Sequence, residues 1–218
     1  MDSKPALPQF DQPQSRWVWI SGWGIRPQDF GALAQTLHPA ATHQVLPPSA
    51  SALDEALALK PDVLAGYSLG ALLVLSTPVP ATIPAILGVA PILAFDAEAG
   101  HGGTTPGRSR LAVTVKFDKD PLSAIRLYLR LAGMGDCFAD SLPYAKSDLR
   151  WGLDALGGLS ADPNTVARAR LFAGQADPLT DAKTLTERCP DLQIIAGCGH
   201  DYRQLLPAMF TSNRHAGF

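Results

Sequence analysis

The chain has 218 residues, with 18 Lys and Arg against 20 Asp and Glu, a formal charge of −2, 46% apolar and 17% charged residues. That length suits one domain able to bury about 70% of its unfolded surface without metals or disulfides, and the balanced charge gives no electrostatic basis for nucleic-acid binding. Cys137, Cys189 and Cys198 are odd in number and form no CxxC, which argues against a disulfide framework or a zinc site and fits a reducing, cytoplasmic compartment.

Residues 1–15, rich in Pro, Gln and Asp, read as a loosely ordered lead-in without the apolar core of a secretory signal. A buried strand is expected over 17–20, running into the tight loop Ser21-Gly22-Trp23-Gly24. The spacing of Phe30, Leu33, Ala34 and Leu37 predicts a helix over 27–37 with Pro27 in its tolerated first turn. The cycle repeats with a weak strand at 44–46, a helix at 51–59, a strand at 62–65, a helix at 69–75 and a strand at 85–89. Further on, strands at 169–173 and 193–196 flank a helix at 181–188. Such alternation implies an α/β protein whose central sheet is mostly parallel, with helices on both faces. The apolar stretch 69–95 is broken by Pro78, Pro80, Pro84 and Pro91, so it reads as core and not as a membrane span.

Between the two sheet portions, 16–95 and 165–218, lies a different segment, 96–164. It opens with Gly100-His101-Gly102-Gly103 and carries helical patterns at 122–131 and around 149–156, which suggests a helical lid. Residues 100–150 hold eight Lys and Arg against five Asp, a local surplus of +3.

Gly66-Tyr67-Ser68-Leu69-Gly70 matches G-x-S-x-G, a strand-to-helix turn that lifts a serine out of a sheet; an apolar strand precedes it and an apolar helix follows. A serine hydroxyl needs a general base, and the base needs a carboxylate to fix its tautomer. Asp177 follows one expected strand by a short loop, and His200 follows another through Gly197-Cys198-Gly199. The order Ser68, Asp177, His200 is the one this turn calls for, and all three lie just past strand carboxyl ends, where ligands of open α/β sheets gather. Asp181 is the weaker choice of acid and reads as a helix cap; Asp177-Pro178 alone could be a turn initiator. His38, His43, His101 and His215 are less well placed than His200. Two donors are needed for the oxyanion: the N–H of Leu69, and one from the loop after the first strand, assigned to Trp23, whose indole could otherwise be only an apolar wall. Cys198 is on no strand-to-helix turn, and no Walker loop, GxGxxG or HExxH is present, so no cofactor or metal is expected. Arg126 and Arg130, four apart on the 122–131 helix, share one face; such pairs are most often plain solvated surface.

With these residues in place, the chain resembles the α/β-hydrolase superfamily over nearly all of 16–209. Within it, the likeness is to the esterases of biotin synthesis that cleave the methyl ester of pimeloyl-acyl carrier protein. The resemblance rests on Gly22-Trp23-Gly24, the Gly66 to Gly70 elbow, Gly152-Leu153 with Leu156, Gly174 to Asp177, and Gly199-His200. It implies a basic lid surface that docks the acidic carrier protein, with Arg126, Arg130 and Arg150 as the residues to do so. A monomer is expected, with no cofactor, nucleic-acid or membrane partner. Ser21 stands where that family has a His, the loop after Leu46 is a bare Pro47-Pro48, and the C-terminal helix is short; these departures bear on the substrate more than on the triad. Two other readings stand beside it: a broader small-acyl carboxylesterase or thioesterase, which the apolar residues of 122–131 would serve equally well, and a non-catalytic scaffold of the same fold.

Overall fold

A computed structural model describes residues 14–135 and 140–215. Residues 1–13 of the expected lead-in, with Asp136 and Cys137, lie outside the described residues.

The chain runs β1 (Arg16–Ile20), α1 (Pro27–Leu37), β2 (Thr42–Leu46), α2 (Ala52–Ala58), β3 (Val63–Tyr67), α3 (Leu69–Leu75) and β4 (Ala85–Val89). It continues with α4 (Gly107–Lys119), α5 (Pro121–Leu131), α6 (Lys146–Gly158), α7 (Pro163–Arg168), β5 (Arg170–Gly174), α8 (Ala182–Arg188), β6 (Gln193–Ile195) and α9 (Tyr202–His215). The described strands form one six-stranded sheet in the order β2-β1-β3-β4-β5-β6, every pair parallel.

That order reverses direction once. The chain steps from β1 outward to β2, then crosses back to β3 and proceeds to β6. Because β-crossover-β connections are right-handed, the reversal puts α1 on one face and the later crossover helices on the other. α9 joins α1 on the first face, where Trp17 meets Phe210 at 5.9 Å and Trp19 meets Phe30 at 5.2 Å. β3 and β4 are buried at every position, as strands covered on both sides must be, whereas the edges β2 and β6 are half-exposed.

The segment between β4 and β5 is stitched to the core. Arg110 of α4 makes a two-pronged ion pair with Asp96 at 2.9 and 3.0 Å. Ala161 N–H donates to Leu93 O and Asp162 N–H to Leu75 O, each at 2.7 Å. The α4 helix, unanticipated from sequence, packs on α5 and α6 through Val113 and Phe117. Among the described residues no helix is long and apolar enough to cross a membrane.

Candidate active site

β3 ends directly on Ser68, whose backbone sits at φ 56°, ψ −118°, a conformation that an L residue holds only when its surroundings impose it. The surroundings do so by backbone-to-backbone approach. A Cβ on Gly66 would overlap the Gly70 carbonyl, and one on Gly70 would overlap the Ile20 carbonyl. Ser68 N–H is held by Val89 O at 3.0 Å, and Ser68 O accepts from Leu72 N–H as the first bond of α3.

The loop after β6 brings His200 to this turn, and the loop after β5 brings Asp177. His200 Nε2 lies 2.8 Å from Ser68 Oγ, and His200 Nδ1 lies 2.7 Å from Asp177 Oδ2. All three residues are buried. Burial pushes the Asp177 carboxyl up, but the neighbouring His200 ring, its hydrogen bond and the Leu179 N–H outweigh burial and hold it below the usual carboxylate range. An ionised carboxylate only accepts, so His200 carries its proton on Nδ1 and turns a bare Nε2 toward the Ser68 hydroxyl.

Further groups fix this row. Asp177 Oδ1 accepts from Leu179 N–H at 2.8 Å. Tyr67 O–H donates to the His200 carbonyl at 2.8 Å, which anchors the histidine's backbone. The glycine-rich segment after β4 clamps the loop that carries Asp177: Gly103 bridges to Thr180, Thr104 Oγ1 donates to Pro178 O at 2.7 Å, and Asp181 N–H donates to Gly102 O at 2.7 Å.

Trp23 occupies the second position of a turn closed by the Ile25 N–H to Gly22 O bond, and Leu69 is the first residue of α3, where a helical N–H has no acceptor in its own helix. Gly22 brings the two loops together, since a Cβ there would lie 2.8 Å from the Tyr67 ring and 3.2 Å from Ser68 Cβ. The Trp23 indole is buried, and its Nε1–H donates to Leu149 O of α6 at 2.7 Å. Tyr144 O–H accepts from Gly24 N–H at 3.2 Å. The Trp23 loop is thus gripped by α6 and the segment before it.

The remaining sequence candidates fall elsewhere. Asp181 caps α8, accepting from Thr184 N–H at 2.9 Å. His43 accepts from Trp19 Nε1–H and touches the His38 carbonyl, away from the triad. Cys198 is buried, which raises its thiol pKa and keeps it unreactive. Arg126 and Arg130 are exposed on α5. Arg150 is engaged with Asp118 and Asp154. Sequence reasoning missed Tyr67, Tyr128 and Tyr144; only Tyr67, inside the G-x-S-x-G motif, carried a signal.

No protein-family model and no curated protein sequence matches the chain. Solved structures do. A bottromycin epimerase, BotH, in complex with bottromycin A2 superposes with a TM-score of 0.59 at 14% identity, over 94% of this chain and 90% of that one. An N-formylmaleamic acid deformylase from Pseudomonas putida gives 0.58 at 16%, over 91% of each chain. The thioesterase RedJ of prodiginine biosynthesis in Streptomyces coelicolor gives 0.54 at 20%, over 95% and 86%. With its six parallel strands, single reversal of strand order and Ser-bearing turn after β3, the chain has the α/β-hydrolase fold.

Proposed function

We propose that the protein is a serine carboxylic ester hydrolase. The observation that carries this reading is the buried row Ser68 Oγ, His200 Nε2 and Nδ1, Asp177 Oδ2, linked at 2.8 and 2.7 Å with Ser68 on a strained elbow. Ser68 Oγ attacks the acyl carbon while its proton passes to His200 Nε2. The tetrahedral intermediate collapses, and His200 returns that proton to the departing alcohol, leaving an acyl-serine. Water then repeats the two steps, releasing the acid and restoring Ser68. Asp177 keeps the imidazole oriented and stabilises its charged form, and the N–H groups of Trp23 and Leu69 receive the oxyanion.

The substrate we propose is the methyl ester of pimeloyl-acyl carrier protein, which would make methanol the leaving group. The sequence resemblance supports this, as do the exposed Arg126 and Arg130, one turn apart on α5. Charge of this kind chiefly speeds encounter with an acidic partner. A second reading, a broader small-acyl esterase or thioesterase, is favoured by Arg150, whose charge is already spent on Asp118 and Asp154.

The test is hydrolysis of pimeloyl-acyl carrier protein methyl ester by wild type and Ser68→Ala at low and high salt. Cleavage that is lost in the variant and weakened by salt is expected. Cleavage of small free esters alone would discard the carrier protein and keep the triad. Near-full activity in Ser68→Ala, or no labelling of Ser68 by a fluorophosphonate, would end the account.

A further inference from the structure

Three tyrosine hydroxyls lie around the Ser68 turn and the Trp23 loop, and two have partners in the structure. Tyr67 O–H holds the His200 carbonyl, and Tyr144 O–H takes the Gly24 N–H. The third, Tyr128 on the inner face of α5, is buried with its ring edge-on to Trp23 at 4.8 Å and stacked against Phe95 at 6.2 Å. Its hydroxyl is shut off from solvent and closes no hydrogen bond, although it lies beside the Ser68 hydroxyl and within the field of the Asp177 carboxylate.

A buried hydroxyl without a partner is destabilising, and a phenylalanine would fill the same ring site without that penalty. Burial also drives the phenol's pKa up, so it stays protonated and can serve as a donor. Ser68 Oγ gives its proton to His200 Nε2, and although its lone pairs could accept from the phenol, the two hydroxyls close no hydrogen bond with each other in this structure. The ring's contact with Trp23 puts the phenol on the oxyanion-loop side of the serine. We propose that Tyr128 is a catalytic residue contributed by the lid: its hydroxyl donates to the acyl carbonyl oxygen of the substrate as Ser68 attacks, beside the N–H groups of Trp23 and Leu69. The assignment rests on the reading of Ser68 as nucleophile. It makes the oxyanion site complete only when α5 is seated on the core, and it gives the orphan hydroxyl a partner that exists only with substrate bound.

The experiment compares wild type with Tyr128→Phe on phenyl acetate, measuring kcat and KM separately, together with melting temperature and the fraction and rate of Ser68 labelling by a fluorophosphonate. The expected result is a kcat lowered about 10²-fold, the scale of losing one oxyanion donor, with KM little changed, slower labelling that still reaches the same final fraction, and a melting temperature equal to or above wild type. A kcat within about twofold of wild type would overturn the assignment. So would an activity loss that comes with a lower melting temperature and a smaller labelled fraction, since that is a packing defect. If wild type shows neither Ser68-dependent hydrolysis nor labelling, the nucleophile reading fails and Tyr128 falls with it. Full wild-type activity beside an unaltered variant removes Tyr128 alone.

Discussion

Gly152 offers the sharpest probe of how α6 bears on the Trp23 loop, to which we assign the oxyanion. It sits in the middle of α6, and a Cβ there would lie 2.7 Å from Trp23 Cδ1 and 3.0 Å from Leu69 Cδ2. Carbon atoms rest at about 3.5–4.0 Å, so Gly152→Ala obliges the indole to yield by about 1 Å or α6 to lift. The indole has little room: its N–H is tied to Leu149 O, and its ring is boxed by Phe117 at 6.0 Å and Tyr128 at 4.8 Å. Overpacking of this kind costs about 1–3 kcal/mol, and replacing a mid-helix glycine by alanine offsets about 0.8–1.0 kcal/mol of that. The net is a destabilisation between about zero and 2 kcal/mol, or at most about 8 °C in melting temperature for a chain of this size. Activity responds more steeply, because a displacement of about 1 Å in reacting geometry can cost about 10²-fold. Thermal unfolding and steady-state ester hydrolysis on one preparation should therefore show a few degrees of lost stability and a kcat lowered about 10²-fold. Wild-type kcat with a raised melting temperature would refute the reasoning, since alanine would then have gained its helix propensity without disturbing Trp23.

Two further outcomes follow from the hydrogen bonds. Asp177→Asn replaces an acceptor by a group that can present N–H to His200 Nδ1, which favours the wrong imidazole tautomer; kcat should fall about 10⁴-fold, and a loss under about tenfold would take Asp177 out of the proposed role. His43 is satisfied only when neutral, taking the Trp19 N–H on Nδ1 while Nε2–H donates to the His38 carbonyl, and burial lowers its pKa from 6.5 to about 4 against the raising effect of that carbonyl. The unfolded chain takes up this proton near pH 6.5 and the folded chain only near 4, so the stability contribution is full above 6.5 and is lost as pH falls toward 4. Between pH 7.5 and 5 the loss is at most about 2 kcal/mol, reduced by the ring's partial exposure; urea unfolding should show it in wild type and not in His43→Asn, and equal losses in both would exclude His43 as the source.

The readable part of the fold was the part whose environment is uniform. α1, α3 and β4 lie where the apolar spacing puts them, because each faces one continuous core. β2 and β6 are edge strands with mixed exposure, so their alternation is weak and their bounds shift by a residue or two. α4 escaped notice because Leu111 and Val115 are exposed and blur its period; its position is set by the Arg110–Asp96 pair and by packing on α5 and α6, all contacts made outside the helix itself. α7 did carry a legible start signal, Asp162 before Pro163, whose carboxylate accepts from Thr165 N–H at 2.9 Å. The placement of Ser68, Asp177 and His200 at one end of the sheet was legible because each lies within five residues of a strand's carboxyl end. The partners of the tyrosines were not: Tyr144 reaches Gly24 across 120 residues, and Tyr67, though its place in the motif was visible, reaches His200 across 133.

The same close approaches that strain Ser68 also locate its partners. The Ile20 carbonyl can touch Gly70 only because position 70 has no side chain, and that contact sets α3 against the end of β1. Gly22, one residue past Ser21, then lies against Tyr67 and Ser68 and carries Trp23 with it. β1 and β3 are neighbours because the strand order reverses there, so the two loops bearing the Trp23 and Leu69 N–H groups emerge side by side from one sheet edge. A side chain at Gly22 or Gly70 would have to separate those loops, and one at Gly66 would push α3 away from β3; either would relax the serine's backbone. Strain at the elbow and the adjacency of the two loops are therefore one packing solution, and the hold of α6 on Trp23 through Leu149 and Gly152 extends it to a third side.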